Sequence, residues 1–414
     1  HVQELSDLAS PVQGFGAQVM PLIAKGDELL DWRDMAARYP DSPGVLCEGG
    51  DHAFSDFEKY MPEILKFLGL SIAGLGLPFG ASAGPSEASP ALGHRVLDIE
   101  WLDADRQRPV PARLYLPQQA SPDGPVPLVV FSHGLGGSRM GYSYLARHWA
   151  DAGMASLHPQ HVGSDNRLWR GNPLELVQRL QSAARDAEAL ARVLDLRFAL
   201  DQVLASDQGR LIDVTQIAVA GHSYGANTAM LVAGAQVNTD RANLAELKDQ
   251  RIRAAILISA PPLLGQGPAQ QVLGAVTTPT LHITSLEDTI NLPGYRSTVE
   301  DRIAIFEAMK RSPRTLAIYN TGGHSIFTDR TTRSGPETSA RIKGATQELC
   351  TIFLRQSLRF GQTHQVNPQS SAEHIPPESK SAALPDSREL QPGLRRWVYR
   401  HKDLLDRFVT PESL

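Results

Sequence analysis

The sequence predicts an α/β fold: a mostly parallel central sheet with helices on both faces, preceded by a partial N-terminal segment. Three observations carry this. Short, continuously apolar runs such as "LVVF" and "AAILI" lack the alternation of a half-exposed strand and read as strands buried on both faces. Amphipathic stretches of helical period separate them. The third is "QIAVAGHSYGANTAM", Gln216 to Met230, an apolar run that ends in two glycines bracketing His-Ser-Tyr and then becomes Ala-rich.

Taken in chain order, residues 1 to 70 form a compact mixed segment whose pattern holds about two strands and two helices, too little for an independent core. Residues 71 to 93 are a Gly/Ala/Ser/Pro linker. From 94 to about 360 strands are expected at Arg95 to Trp101, Pro111 to Leu116, Leu128 to Ser132, Ala155 to His158, Ile217 to Ala220, Ala254 to Ser259, Thr280 to Thr284 and Thr315 to Tyr319. Helices are expected at Ser138 to Ala152, Pro173 to Leu204, Ala226 to Ala235, Val299 to Lys310 and Glu337 to Phe360. Residues 361 to 387 are polar and Pro/Ser-rich, a composition that favours disorder. Residues 388 to 414 recover helical spacing, with Leu394, Trp397, Val398, Leu404 and Leu405 as a docking face.

Within that frame "IAVA" is a strand, "ANTAMLVAGA" a helix, and Ser223 stands at the turn between them. This is the context that turns G-x-S-x-G into a nucleophile elbow. Gly221 and Gly225 leave room where side chains would strike the neighbouring strand and helix. A serine hydroxyl is a poor nucleophile at neutral pH, so it needs a base, and the base needs an orienting acid. In this architecture the chain order is Ser, acid, His at successive strand ends. Strand "PTLHITS" leads to Asp288, with Glu287 as the neighbouring alternative, and strand "TLAIYN" leads through "TGGHSIF" to His324. Ser223, Asp288 and His324 are therefore the expected triad. Acyl transfer also needs donors for an oxyanion. The Gly-rich turn of "VVFSHGLGGS" offers the backbone N–H of Leu135, complementing that of Tyr224, and His133, Gly134 and His222 are candidates to shape the pocket.

The segments "FSHGLGGSRMGYSYLARHWADAGMASLHPQHVGSDN", "GHSYGANTA", "SLEDT" and "GGHSIF" resemble the predicted dienelactone hydrolase family, serine α/β-hydrolases related to platelet-activating-factor acetylhydrolases. More distantly, the Asp and His segments are similar to those of bacterial cutinase-like polyester hydrolases. The resemblance covers residues 94 to 358 and implies an α/β-hydrolase fold, carboxylic ester hydrolysis through an acyl-serine, a small-molecule ester substrate, and no metal or organic cofactor. Serine at 223, where true dienelactone hydrolases carry cysteine, argues against dienelactone as substrate, and Leu135 in place of an aromatic argues against polyester activity. Residues 1 to 70 resemble the C-terminal part of YqiA-type esterases. Asp31 and His52 match the acid and base there, yet no serine elbow precedes them. With His1 in first place, this segment reads as a partial, non-catalytic hydrolase unit from a truncated or fused frame.

Composition narrows the alternatives. Hydrophobic residues make up 42% of 414 and the net charge is −5, so a sizeable core is affordable and no basic surface draws nucleic acid. The two cysteines, Cys47 and Cys350, indicate neither a disulfide framework nor a metal site. His158 and His161 have metal-like spacing without a ligand set around them. The run "LKFLGLSIAGLGLPFGASAG", Leu65 to Gly84, is too short and too interrupted to span a membrane. It reads as an export-signal core or as a helix end plus linker, which leaves cytoplasmic and exported locations both open. An acyltransferase with the same triad, or a non-catalytic hydrolase-like binding module, are the rival functions. No pattern fixes the oligomeric state.

Overall fold

The computed structural model describes residues 22–24, 33, 45–47, 93–170, 175–237, 247–263, 265–292, 295–330, 334–358 and 390–411. Two compact units emerge, His1–Pro90 and Ala91–Leu414. In the first, β1 (Leu22–Ala24) pairs in parallel with β2 (Val45–Cys47). Asp31, His52, the export-like run and the polar stretch 361–387 lie outside the described residues.

The second unit carries β3 (His94–Asp103), β4 (Arg108–Pro117), β5 (Val126–Ser132), β6 (Ala155–Pro159), β7 (Ile212–His222), β8 (Ile252–Ile258) and β9 (Thr280–Ser285). A short antiparallel hairpin, β10 (Ile290–Leu292) with β11 (Tyr295–Ser297), follows, then β12 (Arg314–Tyr319) and β13 (Leu405–Val409). Nine of these strands form one sheet in the order β13-β12-β9-β8-β7-β5-β6-β4-β3. Pairing is parallel from β6 through β5, β7, β8 and β9 to β12, and antiparallel at both margins. This is the mostly parallel sheet expected from the apolar strands, in the α/β-hydrolase arrangement that the resemblance implied.

Alternation within β5 divides the core. Leu128 and Val130 pack on one face with Val193, Met230, Val272 and Ile305; Val129 and Phe131 pack on the other with Leu145, Trp149, Ile342 and Trp397. The first face is covered by α3 (Asp186–Ala205), α4 (Tyr224–Ala233), α5 (Ala269–Leu273) and α6 (Val299–Ala308). The second is covered by α1 (Ser143–Asp151), α7 (Pro336–Ser357) and α8 (Pro392–His401). Among the described residues no helix is long and apolar enough to cross a membrane.

Three differences from the sequence reading have local causes. The helix expected from Ser138 starts only at Ser143, because Tyr142 at its cap is left-handed, with φ 60° and ψ 29°. The single helix expected over Pro173 to Leu204 is two, α2 (Leu176–Ala183) and α3, since Arg185 between them is extended. Finally, the C-terminal segment is not helical to its end. Leu404 and Leu405 are buried with Leu394, Trp397 and Val398, but Leu405 opens a strand that pairs antiparallel with β12.

Candidate active site

β7 ends at His222 and α4 begins at Tyr224, so Ser223 takes the whole reversal on one residue, with φ 55° and ψ −123°. Its N–H is tied to the carbonyl of Ile258 on β8 at 2.9 Å. The glycines have a measurable reason. A Cβ on Gly221 would lie 2.2 Å from the Gly225 carbonyl oxygen, and one on Gly225 would lie 1.9 Å from that of Ser132. Strand and helix can approach this closely only without side chains there.

His324 opens a short 3-10 helix, His324–Phe327, just past β12, with Ile326 and Phe327 buried beneath it. Its Nε2 is 2.8 Å from Ser223 Oγ, and its Nδ1 is 2.7 Å from Asp288 Oδ1. Asp288 is fully buried in the turn after β9, where its other oxygen accepts from the Thr284 hydroxyl at 2.7 Å and from Arg302 Nε at 3.3 Å. Burial alone would raise this carboxyl. The hydrogen bond and charge of His324, the Arg302 guanidinium and Thr284 outweigh it and hold Asp288 well below the usual carboxylate range. Glu287, the alternative acid, points outward and accepts from the N–H of Gly322 at 3.0 Å, bracing the turn before His324 instead.

The turn after β5 is shaped by Gly136, at φ 69°, whose N–H donates to the Ser164 carbonyl at 2.9 Å. Trp169 Nε1 donates to the Gly136 carbonyl at 2.8 Å. Among the described residues no acceptor takes the backbone N–H of Leu135 or of Tyr224. Both residues border the same cleft as Ser223. Tyr224 is also the first residue of α4, where the helix dipole favours negative charge. The cleft, about 390 Å³, is otherwise lined mainly by apolar side chains of α2, α3, α4 and the loop after β8.

His133, Gly134 and His222 do not line that cleft; they are buried behind it. His133 donates from Nδ1 to the Gly134 carbonyl and accepts at Nε2 from the His161 N–H. Gly134 donates to Tyr142 Oη at 3.3 Å, Tyr142 lies 2.9 Å from His222 Nδ1, and His222 Nε2 lies 3.0 Å from the His324 carbonyl oxygen. A neutral His222 accepts at Nδ1 and donates at Nε2, so one continuous chain joins the two loops that flank Ser223. Burial, together with the neighbouring His324, lowers His222 to about 3, which keeps it neutral.

Two features carried no motif. Arg192 of α3 is fully buried, donating to Thr228, Ser164 and Ser132 and to the His133 carbonyl, with its guanidinium 4.5 Å from the Tyr224 ring. It therefore clamps both halves of the candidate oxyanion site. Burial lowers it to about 10, still charged at neutral pH. A helical arginine flanked by ordinary residues gives no signal of this in sequence. Beneath it, Ser132, His161 and Asp195 copy the order of a triad, at 2.9 and 3.2 Å, but all three are fully buried. Burial and Arg192 lower His161 to about 4, so it stays neutral, and Arg106 and Arg108 meet the Asp195 charge. His158 lies 2.8 Å from the Ser156 hydroxyl and stacks on Phe131 at 5.0 Å.

Residues 110–166, from within β4 through β5, α1 and β6 to the segment just after β6, match the family model of platelet-activating factor acetylhydrolase, isoform II. Residues 1–69 match an uncharacterised protein family (UPF0227), which is YqiA-like. Among solved structures, a ferulic acid esterase from Streptomyces cinnamoneus aligns with TM-score 0.46 and 20% identity, over 70% of this chain and 96% of that one. The two family matches cover residues 1–69 and 110–166 alone, and the sheet order with its strand–turn–helix elbow gives the chain an α/β-hydrolase fold.

Proposed function

We propose that the protein is a serine carboxylesterase acting through Ser223, His324 and Asp288. The observation that supports this most directly is the unbroken line from the Ser223 hydroxyl to His324 and on to the buried Asp288, with steps of 2.8 and 2.7 Å. Those are hydrogen-bond distances suited to proton transfer.

In the first half-reaction Ser223 Oγ attacks the ester carbonyl while His324 Nε2 takes its proton. The charge on the carbonyl oxygen is received by the N–H groups of Leu135 and Tyr224, aided by the N-terminus of α4. The imidazolium, oriented and balanced by Asp288, then protonates the departing alkoxide, leaving an acyl-serine. In the second, His324 takes a proton from water as that water attacks the acyl carbon, and the tetrahedral intermediate collapses to the free acid as the imidazolium returns that proton to the departing Ser223 Oγ. His222 must remain uncharged throughout, since a second imidazolium 4.7 Å from His324 would oppose the one that forms.

The test is a nitrophenyl ester series from acetate to palmitate, run on the wild type and on Ser223→Ala. The expected loss of kcat in the variant is at least about 10⁴-fold. A fluorophosphonate should label the wild type at Ser223 and leave the variant unlabelled. Equal turnover by both proteins would refute the assignment.

A further inference from the structure

The cleft beside Ser223 is larger than an acetyl group needs, and it is asymmetric. Its lining includes Ser223, Leu135 and Tyr224 but not His324. A general acid must reach the leaving oxygen, so the alcohol of a bound ester lies on the His324 side. The acyl group is thereby directed into the cleft, whose 390 Å³ falls in the range of pockets that hold a drug-sized ligand.

The walls are apolar where Leu180, Leu190, Leu231, Leu247 and Pro262 face the space, but polar side chains interrupt them, Gln181 and Asp186 being exposed to water and three others not. Tyr224, Asn227 and Gln266 each line the cleft and each has a side-chain oxygen sealed from water with no hydrogen-bond partner. Asn227 and Gln266 are only 7% and 8% exposed. Buried polar atoms are nearly always paired, so an unpaired set in the wall of an open cleft points to a ligand, which these side chains meet by turning outward from the closed positions they hold here. A hydroxyl both donates and accepts. It therefore pairs with a primary amide whichever way that amide is turned, and with a phenol.

Resting on the esterase reading, we propose that this cleft is the acyl subsite and that it selects esters of apolar acids well larger than acetate that carry a hydroxyl group. Two matched pairs of nitrophenyl esters test it: octanoate against 8-hydroxyoctanoate, and 3-phenylpropanoate against 3-(4-hydroxyphenyl)propanoate. The hydroxylated member of at least one pair should show about tenfold higher kcat/KM, and all four should exceed acetate. The pair that responds tells an aliphatic from an aromatic acyl source. In Asn227→Leu/Gln266→Leu the ratio should fall toward one. Calorimetric binding of the four free acids to Ser223→Ala gives a second reading, with tighter binding of the hydroxylated acids expected and the difference lost when Asn227 and Gln266 are also replaced.

Equal rates within both pairs, or a preference undiminished in the double variant, would overturn the acyl-subsite selectivity while leaving the esterase reading in place. Absence of turnover on every ester would instead overturn the esterase reading, and the binding measurement would still decide whether the cleft prefers hydroxylated acids.

Discussion

Tyr142 shows how much of the candidate site depends on residues outside the cleft. Its hydroxyl connects the Gly134 N–H to His222, and His222 in turn holds the main chain at His324. In Tyr142→Phe the Gly134 N–H and His222 Nδ1 lose their partners, so the two flanking loops are no longer held in one register. A kcat lower by about 10- to 100-fold with KM little changed is expected, since small displacements near reacting groups cost this much. Steady-state kinetics on a nitrophenyl ester checks it. Arg192→Met removes donors to Ser132, Ser164, Thr228 and His133 together. A loss of about 3 kcal/mol in urea unfolding is expected, because the acceptors stay buried without partners.

At the scale of the element, the elbow and the helices behave oppositely toward an added methyl group. Gly225→Ala would force a carbon to 1.9 Å from the Ser132 carbonyl oxygen. β5 and α4 must then separate, and a fall in both melting temperature and esterase rate is expected. Gly344 in α7 meets nothing within 4 Å. Gly344→Ala should therefore stabilise by about 0.5–1 kcal/mol, the ordinary helix-propensity gain, measurable by denaturant titration. The same scale explains what could be read in advance. Ser223, Asp288 and His324 each lie just past a strand of the buried sheet, β7, β9 and β12, that the sequence also outlines, so strand ends nominated them. β13 escaped because "LDRFV" is five residues long and continues a helical spacing, where period alone does not separate strand from helix. Arg192 and Tyr142 escaped because their partners come from segments remote in sequence, and only the folded arrangement assembles them.

For the molecule as a whole, the buried histidines set a pH limit. Burial is the chief cause lowering His133, His158, His161, His222 and His282 below the ordinary range, with His158, His222 and His282 near 3 and His161 near 4. Between those values and the unfolded value near 6.5 the unfolded chain binds protons that the folded chain refuses, so stability falls as pH falls. Each such histidine withdraws up to ~1.4 kcal/mol per pH unit across that window. Melting temperature should therefore be roughly level from pH 8 to 7 and drop steeply from 6.5 to 4.5, reversibly at its onset. A flat profile through pH 5 would contradict neutral burial of these rings.

β13 reaches the chemistry by a route of its own. Immediately after β12, the N–H of Asn320 donates to the Leu404 carbonyl at 2.9 Å and its side-chain amide to the Asp403 carbonyl at 2.7 Å. The peptide that leads to His324 is thus moored to the segment that opens β13. A fragment stopping at residue 358 would keep Ser223, Asp288 and His324, yet β12 would be paired on one side only, with β9, and Asn320 would lose both of its partners. Such a fragment should be slow to turn over ester long before it fails to fold, and adding back a peptide spanning 390–411 should restore part of the lost rate.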